Sequence, residues 1–370
     1  MATASSRRIQ SSSLNSTEGG VGILGAGAWG TAIGKVIAEK GKKTLIWCFE
    51  EEVCDDINKN RVNSRYLPDV ELPASLKATS NIEEAAEGKQ FLIYANPSMY
   101  LLDTLKNSLS VNSIREGKTN IAVLTKGFLP AENGPRLILE TMEDYLPGFY
   151  RQSLVYIAGP SHAEEVSCGK VTGLIAASEN AKNSIRFREL LKNPRLLVYS
   201  SLDVRGVQVA AAAKNVIAIA FGILDALKKT GKAEMFGDGT ESLLLAAGLN
   251  EIQLLGKALG ATHPETFTSI SGIGDLDVTC RSEYGRNRRF GREIIEKKIL
   301  KQYKNIDDLL KHIGGIGYMP EGVAAAKYVR LLADKHKLKM PVSVGLCKLL
   351  NREIEPIEFY KDLLADWDIK

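Results

Sequence analysis

The sequence predicts an α/β fold: an N-terminal Rossmann-type doubly wound parallel sheet followed by an all-α C-terminal domain. Short apolar segments alternate with helical patterns as far as about residue 203, which is typical of a parallel sheet with helices on both faces. A glycine-rich turn follows the first apolar segment, and long helical patterns replace the strands after residue 203. We expect a disordered tail over residues 1–19, a Rossmann domain over 20–203 and a helical domain over 204–370.

Each predicted strand is a short apolar run that ends in turn or polar residues. After the first strand and its turn, a helical pattern runs over Thr31–Lys40, and Gly41 ends it. Helices are also predicted over Val207–Leu227, which opens the second domain, and over Ser242–Leu259. The predicted strands are Val21–Leu24, Thr44–Cys48, Phe91–Tyr94, Ile121–Leu124, Leu154–Ala158, Thr172–Ala176 and Leu196–Tyr199.

The composition argues against several classes of function. The net charge of +4 over 370 residues is too small to indicate nucleic-acid binding. The most apolar stretch carries a central lysine, which costs about 3 kcal/mol in a bilayer, so we expect no membrane span. Five scattered cysteines without a CxxC pair indicate neither disulfides nor a metal site. The N-terminus lacks an apolar signal segment; we expect a cytoplasmic protein, with a transit peptide as the alternative for the Ser-rich tail.

The glycine-rich turn has the GxGxxG spacing between a strand and a helix, which predicts a dinucleotide-binding site. Gly25 makes the turn, Gly27 lets the backbone approach a pyrophosphate, and Gly30 lets the helix lie close to the strand. Glu50 follows the second strand, where a carboxylate accepts from a ribose 2′-hydroxyl and repels a 2′-phosphate. Because no arginine stands at that strand end in the sequence, NAD is favoured over NADP. Alternatively, Glu50–Glu52 only begin the next helix.

Lys214 lies near the middle of the apolar stretch Val207–Leu227, which is typical of a buried helix. At helical spacing it shares a face with apolar residues such as Ile217 and Phe221, so its charge has no partner there. Burial disfavours the charged amine and lowers its pKa, which makes a lysine usable as an acid or a base. The alternative is a lysine whose ammonium group reaches the surface along its apolar stem.

Polar residues follow several predicted strands, and the carboxyl ends of parallel strands are where such folds bind ligands. Lys126 follows the fourth strand, and Gly159 and Ser161 follow the fifth. Ser161 and Glu164 match a capping box, which predicts a helix start that faces the cleft. A surface lysine and a plain cap are the alternatives. We expect His162 not to be catalytic, because it lies inside the proposed cap and has no evident carboxylate partner.

A basic segment, Tyr284–Arg292, lies in the second domain. Arg286 beside Asn287 places a forked cation next to an amide donor, which suits the phosphate of a small molecule. A nucleic-acid site is disfavoured because the segment lacks interleaved aromatic residues, and a solvated basic face is the remaining alternative. Asp275 follows Gly-Ile-Gly at a predicted helix start, either as a cap or as the partner of Lys214.

Taken together, these motifs resemble one family, the soluble, flavin-free NAD(P)-dependent sn-glycerol-3-phosphate dehydrogenases. They keep the order found in that family and span residues 21 to about 342. Many nucleotide-binding enzymes share the first motif, whereas the combination of the others is specific. The matching pieces are GAGAWGTA (25–32), TKG (125–127), AGPSHAEEV (158–166), KNVIAIA (214–220), GIGDLDVTC (272–280), GRNRRFG (285–291) and PEG (320–322).

The resemblance implies the interconversion of sn-glycerol 3-phosphate and dihydroxyacetone phosphate by hydride transfer. It implies that Lys214 moves the proton of the C2 hydroxyl, that Lys126 orients the substrate oxygen, and that Asp275 accompanies Lys214. Together with the glycine turn, the expected cofactor contacts are Gly25, Gly27, Trp29, Gly30, Glu50, Lys126, Ala163, Arg286 and Glu321. The implied substrate contacts are Lys126, Gly159, Ser161, Lys214, Asp275, Thr279, Arg286 and Asn287.

Two other functions fit part of the pattern. A β-hydroxyacid dehydrogenase of the 6-phosphogluconate or 3-hydroxyisobutyrate type also combines a Rossmann domain, a helical domain and a lysine followed by asparagine. A non-catalytic NAD(H)-sensing module would keep the glycine turn, but Lys214, Lys126 and Asp275 argue against it. We expect NAD as the cofactor with NADP as the second choice, a phosphorylated triose as the substrate and a homodimer, with no metal, nucleic-acid or membrane partner.

Overall fold

The computed structural model describes residues 19–229 and 235–365. The tail predicted over residues 1–19 lies outside the described residues except for Gly19. Residues 366–370, at the end of the predicted helical domain, and residues 230–234, in the loop before its second long helix, also lie outside them.

An eight-stranded sheet forms the N-terminal domain, in the order β10-β9-β8-β5-β4-β1-β2-β3, and β6 and β7 form a separate short hairpin. All seven predicted strands are present: Val21–Leu24 and Phe91–Tyr94 have the predicted ends, and the ends of the other five are shifted by one or two residues. Strand β3 and the hairpin were not predicted, because their two to four residues carry no recognisable apolar run. The strands are β1 Val21–Leu24, β2 Thr44–Trp47, β3 Leu76–Thr79, β4 Phe91–Tyr94, β5 Asn120–Val123, β6 Phe128–Leu129, β7 Arg136–Leu137, β8 Val155–Ala158, β9 Thr172–Ala177 and β10 Leu196–Ser201.

Six strands of the sheet, from β8 to β3, run parallel as predicted. The last two differ, because β9 pairs antiparallel with β8 and β10 runs parallel to β9. The segment between β8 and β9 contains one helix of only five residues, whereas a parallel crossover needs a longer connection, usually a full helix. The strand order reverses direction between β1 and β4, which opens a crevice at the carboxyl ends of these strands.

Helices cover both faces of the sheet and bury two apolar layers. One layer contains Ile33 of α1 and Phe187 of α8, and the other contains Leu101 of α4, Ile138 of α6 and Val207 at the start of the helical domain. The helices of the first domain are α1 Ala28–Glu39, α2 Glu51–Asn60, α3 Ile82–Ala86, α4 Ser98–Ser108, α5 Asn112–Arg115, α6 Ile138–Tyr145, α7 Ala163–Ser167 and α8 Ala181–Leu191.

From Val204 onward the described residues form helices and loops without further strands. Short 3₁₀ turns lie at Ile299–Gln302 and Ile313–Ile316 in this domain and at Gly148–Tyr150 in the first domain, and a π-helical turn lies at Ile270–Gly274. The helices are α9 Val204–Lys229, α10 Asp238–Ala258, α11 Glu265–Thr268, α12 Asp275–Arg281, α13 Arg286–Glu296, α14 Ile306–Lys311, α15 Gly322–His336, α16 Pro341–Leu350 and α17 Pro356–Ala365.

Helix α9 is the centre of the second domain. Among residues 19–229 and 235–365 it is the one helix long and apolar enough to cross a membrane, and its apolar window is wholly buried by protein. Two glycines bring α13 against it. A Cβ atom built on Gly222 would lie 2.0 Å from the Arg288 carbonyl oxygen, and one on Gly291 would lie 2.1 Å from the Ile219 carbonyl oxygen. This close crossing sets the position of the start of α13 relative to Lys214 on α9.

Candidate active site

The Lys214 side chain is buried and paired. Its Nζ atom donates to Asp275 Oδ1 at 2.5 Å and to Thr279 Oγ1 at 2.9 Å, and the Lys214 and Asp275 side chains are only 5% and 1% exposed. Asp275 and Thr279 are four residues apart on α12, so they share one face of that helix. The structure therefore rules out the alternative in which the ammonium group reaches the surface. It also shows that Asp275 is more than a cap, since it forms no capping bond at the start of α12.

Lys126 reaches the same carboxylate from the other domain. It follows β5, and its Nζ atom lies 3.7 Å from Asp275 Oδ2. Burial lowers the pKa of Lys214 to about 7; the Asp275 carboxylate opposes that shift, and the charge of Lys126 adds to it. An amine with a pKa near 7 exchanges a proton readily at neutral pH.

Several buried polar atoms near this pair have no hydrogen-bond partner among the described residues. They include Asp275 Oδ2, His162 Nε2 and the hydroxyl of Tyr156, which projects from β8. Glu321, the residue before α15, lies close enough for Lys126, Lys214 and Arg286 to act on its carboxyl: burial raises the pKa of Glu321, and these three cations oppose that shift. Unpartnered buried polar atoms are rare in folded proteins, so their grouping here is consistent with a ligand site.

Arg286 and Asn287 open α13 at the edge of this cluster. The Arg286 side chain is exposed, whereas Asn287 is buried and its Oδ1 atom accepts from the Gly322 N–H at 2.9 Å. That bond leaves the amide NH₂ of Asn287 as the group able to donate to a ligand. The neighbouring Arg288 is not part of a solvated basic face, because its Nε atom bonds Asp225 at 2.5 Å in a largely buried ion pair.

The glycine turn has the shape that a pyrophosphate requires. Gly25 has a φ of +122°, and a Cβ atom there would lie 2.9 Å from the Asn96 nitrogen. A Cβ atom on Gly30 would lie 2.0 Å from the Gly25 carbonyl oxygen, whereas one on Gly27 would meet no heavy atom within 4 Å. No side chain caps the first N–H groups of α1, so they remain available to an anion. Trp29 lies half-buried in the first turn of α1.

The end of β2 differs from the prediction in one respect. Glu50 lies there as expected, but its Oε1 atom accepts from the Tyr66 hydroxyl at 2.6 Å, and an Arg65 guanidinium nitrogen lies 3.7 Å away. The expectation that no arginine stands at this strand end is therefore wrong, because a loop after α2 brings Arg65 back to it. Phe49 is 82% exposed beside Glu50, so its ring is accessible to a ligand. Phe49 adjoins Glu50 in the sequence, so its position at this strand end could have been predicted. Arg65 comes 15 positions after Glu50, and no motif spacing predicts that it returns to this site.

The loop after β8 also differs from the prediction. The Ser161 hydroxyl donates to the Gly159 carbonyl oxygen at 3.2 Å, and α7 begins at Ala163 after His162 without any side-chain cap. The predicted capping box at Ser161 is therefore wrong, since a bond to the preceding carbonyl replaces it. His162 is closer to the lysine pair than expected: burial lowers its pKa, and the charges of Lys214 and Lys126 lower it further.

Within the described residues, no group of three or more His, Cys, Asp or Glu side chains is arranged to hold a metal ion. The same residues contain all five cysteines as free thiols, and three of these are buried.

Comparison with known proteins assigns both domains to one family. Residues 20–184 match the family model described as the NAD-dependent glycerol-3-phosphate dehydrogenase N-terminus, and residues 203–361 match the model of its C-terminus. The chain belongs to the NAD-dependent glycerol-3-phosphate dehydrogenase family. As a member of that family it is an NAD(P)-dependent oxidoreductase.

Named relatives agree over nearly the whole chain. Glycerol-3-phosphate dehydrogenase [NAD(P)+] from Treponema denticola is 55% identical over 350 residues, which cover 93% of this chain and 98% of that protein. The enzyme of the same name from Bacillus velezensis is 37% identical, and the match covers 89% of each chain. Among solved structures, glycerol-3-phosphate dehydrogenase from Coxiella burnetii has a TM-score of 0.80 and 32% identity, covering 94% of this chain and 99% of that one.

Proposed function

We propose that Lys214 is the acid/base with which this dehydrogenase interconverts sn-glycerol 3-phosphate and dihydroxyacetone phosphate. The observation that carries this proposal is the buried contact of the Lys214 amine with Asp275 and Thr279, beside Lys126. A β-hydroxyacid dehydrogenase is disfavoured because both domains match the glycerol-3-phosphate dehydrogenase family. A non-catalytic NAD(H)-sensing module gives no reason for a buried amine held between a carboxylate and a second lysine.

Lys214 acts on the oxygen at the substrate C2 atom. When bound at the glycine turn, the dinucleotide supplies or accepts the hydride. In the direction of oxidation, neutral Lys214 takes the proton from the C2 hydroxyl. In the direction of reduction, protonated Lys214 returns a proton to the C2 oxygen. A pKa of about 7 populates both forms near neutral pH.

Asp275 and Lys126 set the properties of that amine. Asp275 fixes the direction of the Lys214 amine by a short bond and offsets its charge when it is protonated. Lys126, on the opposite side of the carboxylate, donates to the C2 oxygen and orients it towards Lys214. Because Lys126 comes from the sheet domain and Lys214 from the helical domain, the reacting oxygen sits where the two domains meet.

The phosphate of the substrate is held at the start of α13. The exposed guanidinium of Arg286 and the amide NH₂ of Asn287 both donate to phosphate oxygens, which suits a charged, forked recognition. The Thr279 hydroxyl contacts Lys214 in the structure, so its expected phosphate contact is the least supported of the three. In this proposal Gly159 and Ser161 contact the substrate, and Ala163 and Glu321 contact the cofactor.

A location in the cytoplasm and a homodimer remain predictions. Free thiols at Cys48, Cys280 and Cys347 in the buried core support a reducing compartment. Light scattering on the purified protein tests the dimer, and imaging of the tagged full-length chain tests the location.

An assay of NADH oxidation with dihydroxyacetone phosphate tests the proposed function, with 3-hydroxyisobutyrate and 6-phosphogluconate plus NAD as competing substrates. Lys214→Ala should lower kcat by about a hundredfold to ten-thousandfold while NADH binding, followed by fluorescence, stays intact. Lys229→Ala is the matched control, because Lys229 lies on the same helix and is exposed. A Lys214→Ala enzyme with normal turnover would refute the role of Lys214.

A further inference from the structure

We infer that Arg65 is the residue through which this enzyme accepts a 2′-phosphorylated dinucleotide, while Glu50 and Tyr66 bind the unphosphorylated one. The inference deepens the proposed function, because it concerns the dinucleotide that binds at the glycine turn. It assigns cofactor choice to a cluster of three side chains, two of which come from a loop that sequence spacing did not associate with the site.

The loop that carries Arg65 is tied directly to the glycine turn. Asn63 is fully buried, and its Nδ2 atom donates to the Ala26 carbonyl oxygen and to Thr31 Oγ1, both at 2.8 Å. Its Oδ1 atom accepts from the Tyr66 N–H at 3.2 Å. Ala26 lies inside the turn and Thr31 in the helix that follows it. The position of the loop is therefore coupled to the position of the phosphate-binding backbone.

Tyr66 and Glu50 form the part of the cluster suited to a free ribose. The Tyr66 hydroxyl donates to Glu50 Oε1 at 2.6 Å, and burial, followed by that bond, raises the pKa of Tyr66 to about 12. Tyr66 therefore stays protonated and holds one oxygen of Glu50. The other oxygen is left to accept a hydrogen bond from a ribose 2′-hydroxyl.

Arg65 forms the part suited to a phosphate. One guanidinium nitrogen donates to Glu52 at 2.6 Å, and another lies 3.7 Å from Glu50. The guanidinium carbon lies 5.3 Å from the centre of the Tyr66 ring, and half of the side chain is exposed. Exposed ion pairs are weak, so Arg65 can exchange Glu52 for a 2′-phosphate, whose oxygens match the guanidinium fork.

The charges around the cluster determine which cofactor binds more tightly. A 2′-phosphate would lie near the carboxylates of Glu50 and Glu52, which repel it, and near Arg65, which attracts it. Without Arg65, no positive charge in the cluster would offset this repulsion. With it, the site takes both cofactors and binds the unphosphorylated one more tightly.

Binding to the full-length protein without substrate tests this inference independently of turnover. The probes are NADH and NADPH, followed by fluorescence, and 5′-AMP and adenosine 2′,5′-bisphosphate, followed by calorimetry. Arg65→Ala should weaken the binding of NADPH and of adenosine 2′,5′-bisphosphate by about tenfold or more. It should change the affinities for NADH and 5′-AMP by less than about threefold. Glu50→Gln should have the opposite effect: it should bind NADPH more tightly and NADH more weakly than the unmodified enzyme does.

Arg61→Ala is the matched control, because the Arg61 side chain is equally exposed, at 52%, and pairs with Glu71 away from Glu50. Arg61→Ala should leave the affinities for all four probes unchanged. If the unmodified enzyme does not bind adenosine 2′,5′-bisphosphate, or if Arg65→Ala weakens NADH and NADPH equally, the inference is wrong. A protein that binds neither NADH nor NADPH would instead overturn the proposed function itself.

Discussion

Lys214 and Asp275 are 61 positions apart in the chain, yet the Nζ atom of the first lies 2.5 Å from Oδ1 of the second in a buried contact. Taking both charges out of water is unfavourable, and buried ion pairs often add nothing to stability relative to apolar residues of the same size. The pair is therefore better explained by chemistry than by stability. It keeps an amine in a place where its pKa is lowered to about 7.

The pH dependence of the rate should differ between the two directions. Oxidation of sn-glycerol 3-phosphate needs neutral Lys214, so its kcat should rise as the pH passes upward through about 7. Reduction of dihydroxyacetone phosphate needs protonated Lys214, so its kcat should fall over the same interval. Initial rates in both directions across this range check the prediction. Parallel profiles in the two directions would contradict it.

Removing one member of the pair should destabilise the protein more than removing both. Lys214→Met leaves the Asp275 carboxylate buried without its main partner and should lower the free energy of unfolding by about 3 kcal/mol. The double variant Lys214→Met with Asp275→Leu should recover most of that loss, because no buried charge is left behind. Urea denaturation of the two single variants and the double variant measures the coupling. Additive losses would show that the pair is not energetically linked.

Arg286 should govern substrate capture more than turnover. Because its exposed guanidinium is proposed to bind the substrate phosphate and to take no part in proton transfer, Arg286→Ala should raise KM for dihydroxyacetone phosphate by about tenfold to a hundredfold, with kcat changed less than about threefold. Arg286→Lys should recover part of the affinity. Arg292→Ala on the same helix serves as the control and should leave KM unchanged. Steady-state kinetics with dihydroxyacetone phosphate measure KM and kcat for each variant. An unchanged KM in Arg286→Ala would remove Arg286 from the phosphate site.

His162 should not be the general base, although it lies near the lysine pair. Burial and the two lysine charges lower its pKa, which makes its imidazole a weaker base. The ring centroids of His162 and Tyr284 are 6.0 Å apart, and His162→Phe keeps a ring in that contact. We expect kcat to fall by less than about tenfold. A loss as large as that expected for Lys214→Ala would require a catalytic role.

Glu251 should make the stability of the helical domain depend on pH. Its carboxyl is buried on α10 and accepts from the Val342 N–H at 2.5 Å and from the Ser343 N–H and hydroxyl at 2.9 and 2.6 Å. Burial raises its pKa from 4.5 to about 7 in the folded state. The folded state therefore holds the proton more tightly than the unfolded state, and stability falls as the pH rises from 4.5 to 7.

The variant Glu251→Gln cannot lose a proton from this position. Relative to the unmodified protein, its free energy of unfolding should therefore increase by up to about 3 kcal/mol between pH 5 and pH 8. Denaturant titrations at those two pH values check the shift, and Glu132→Gln, at an exposed position, is the control. A constant difference between Glu251→Gln and the unmodified protein would show that Glu251 titrates normally.

The parts of the fold that local patterns describe were predicted well. The strand Phe91–Tyr94 is present with the predicted ends, and the glycine turn lies between β1 and α1 as expected. The parts that depend on distant contacts were not. The antiparallel β8–β9 pair, the bond from Ser161 to Gly159 and the return of Arg65 to Glu50 all depend on how segments approach in space.

The sequence by itself determined the α/β class, the position of the phosphate-binding turn and the apolar helix that carries Lys214, because each follows from apolar periodicity or from glycines at fixed spacing. Only the tertiary structure decided that the Lys214 amine is buried, that Asp275 is its partner rather than a cap, and which cation stands beside Glu50. Those partners lie on separate elements, and a side chain 61 or 15 positions away carries no local signal of where it will lie. The pKa of Lys214 and the choice between cofactors therefore depend on the folded chain as a whole.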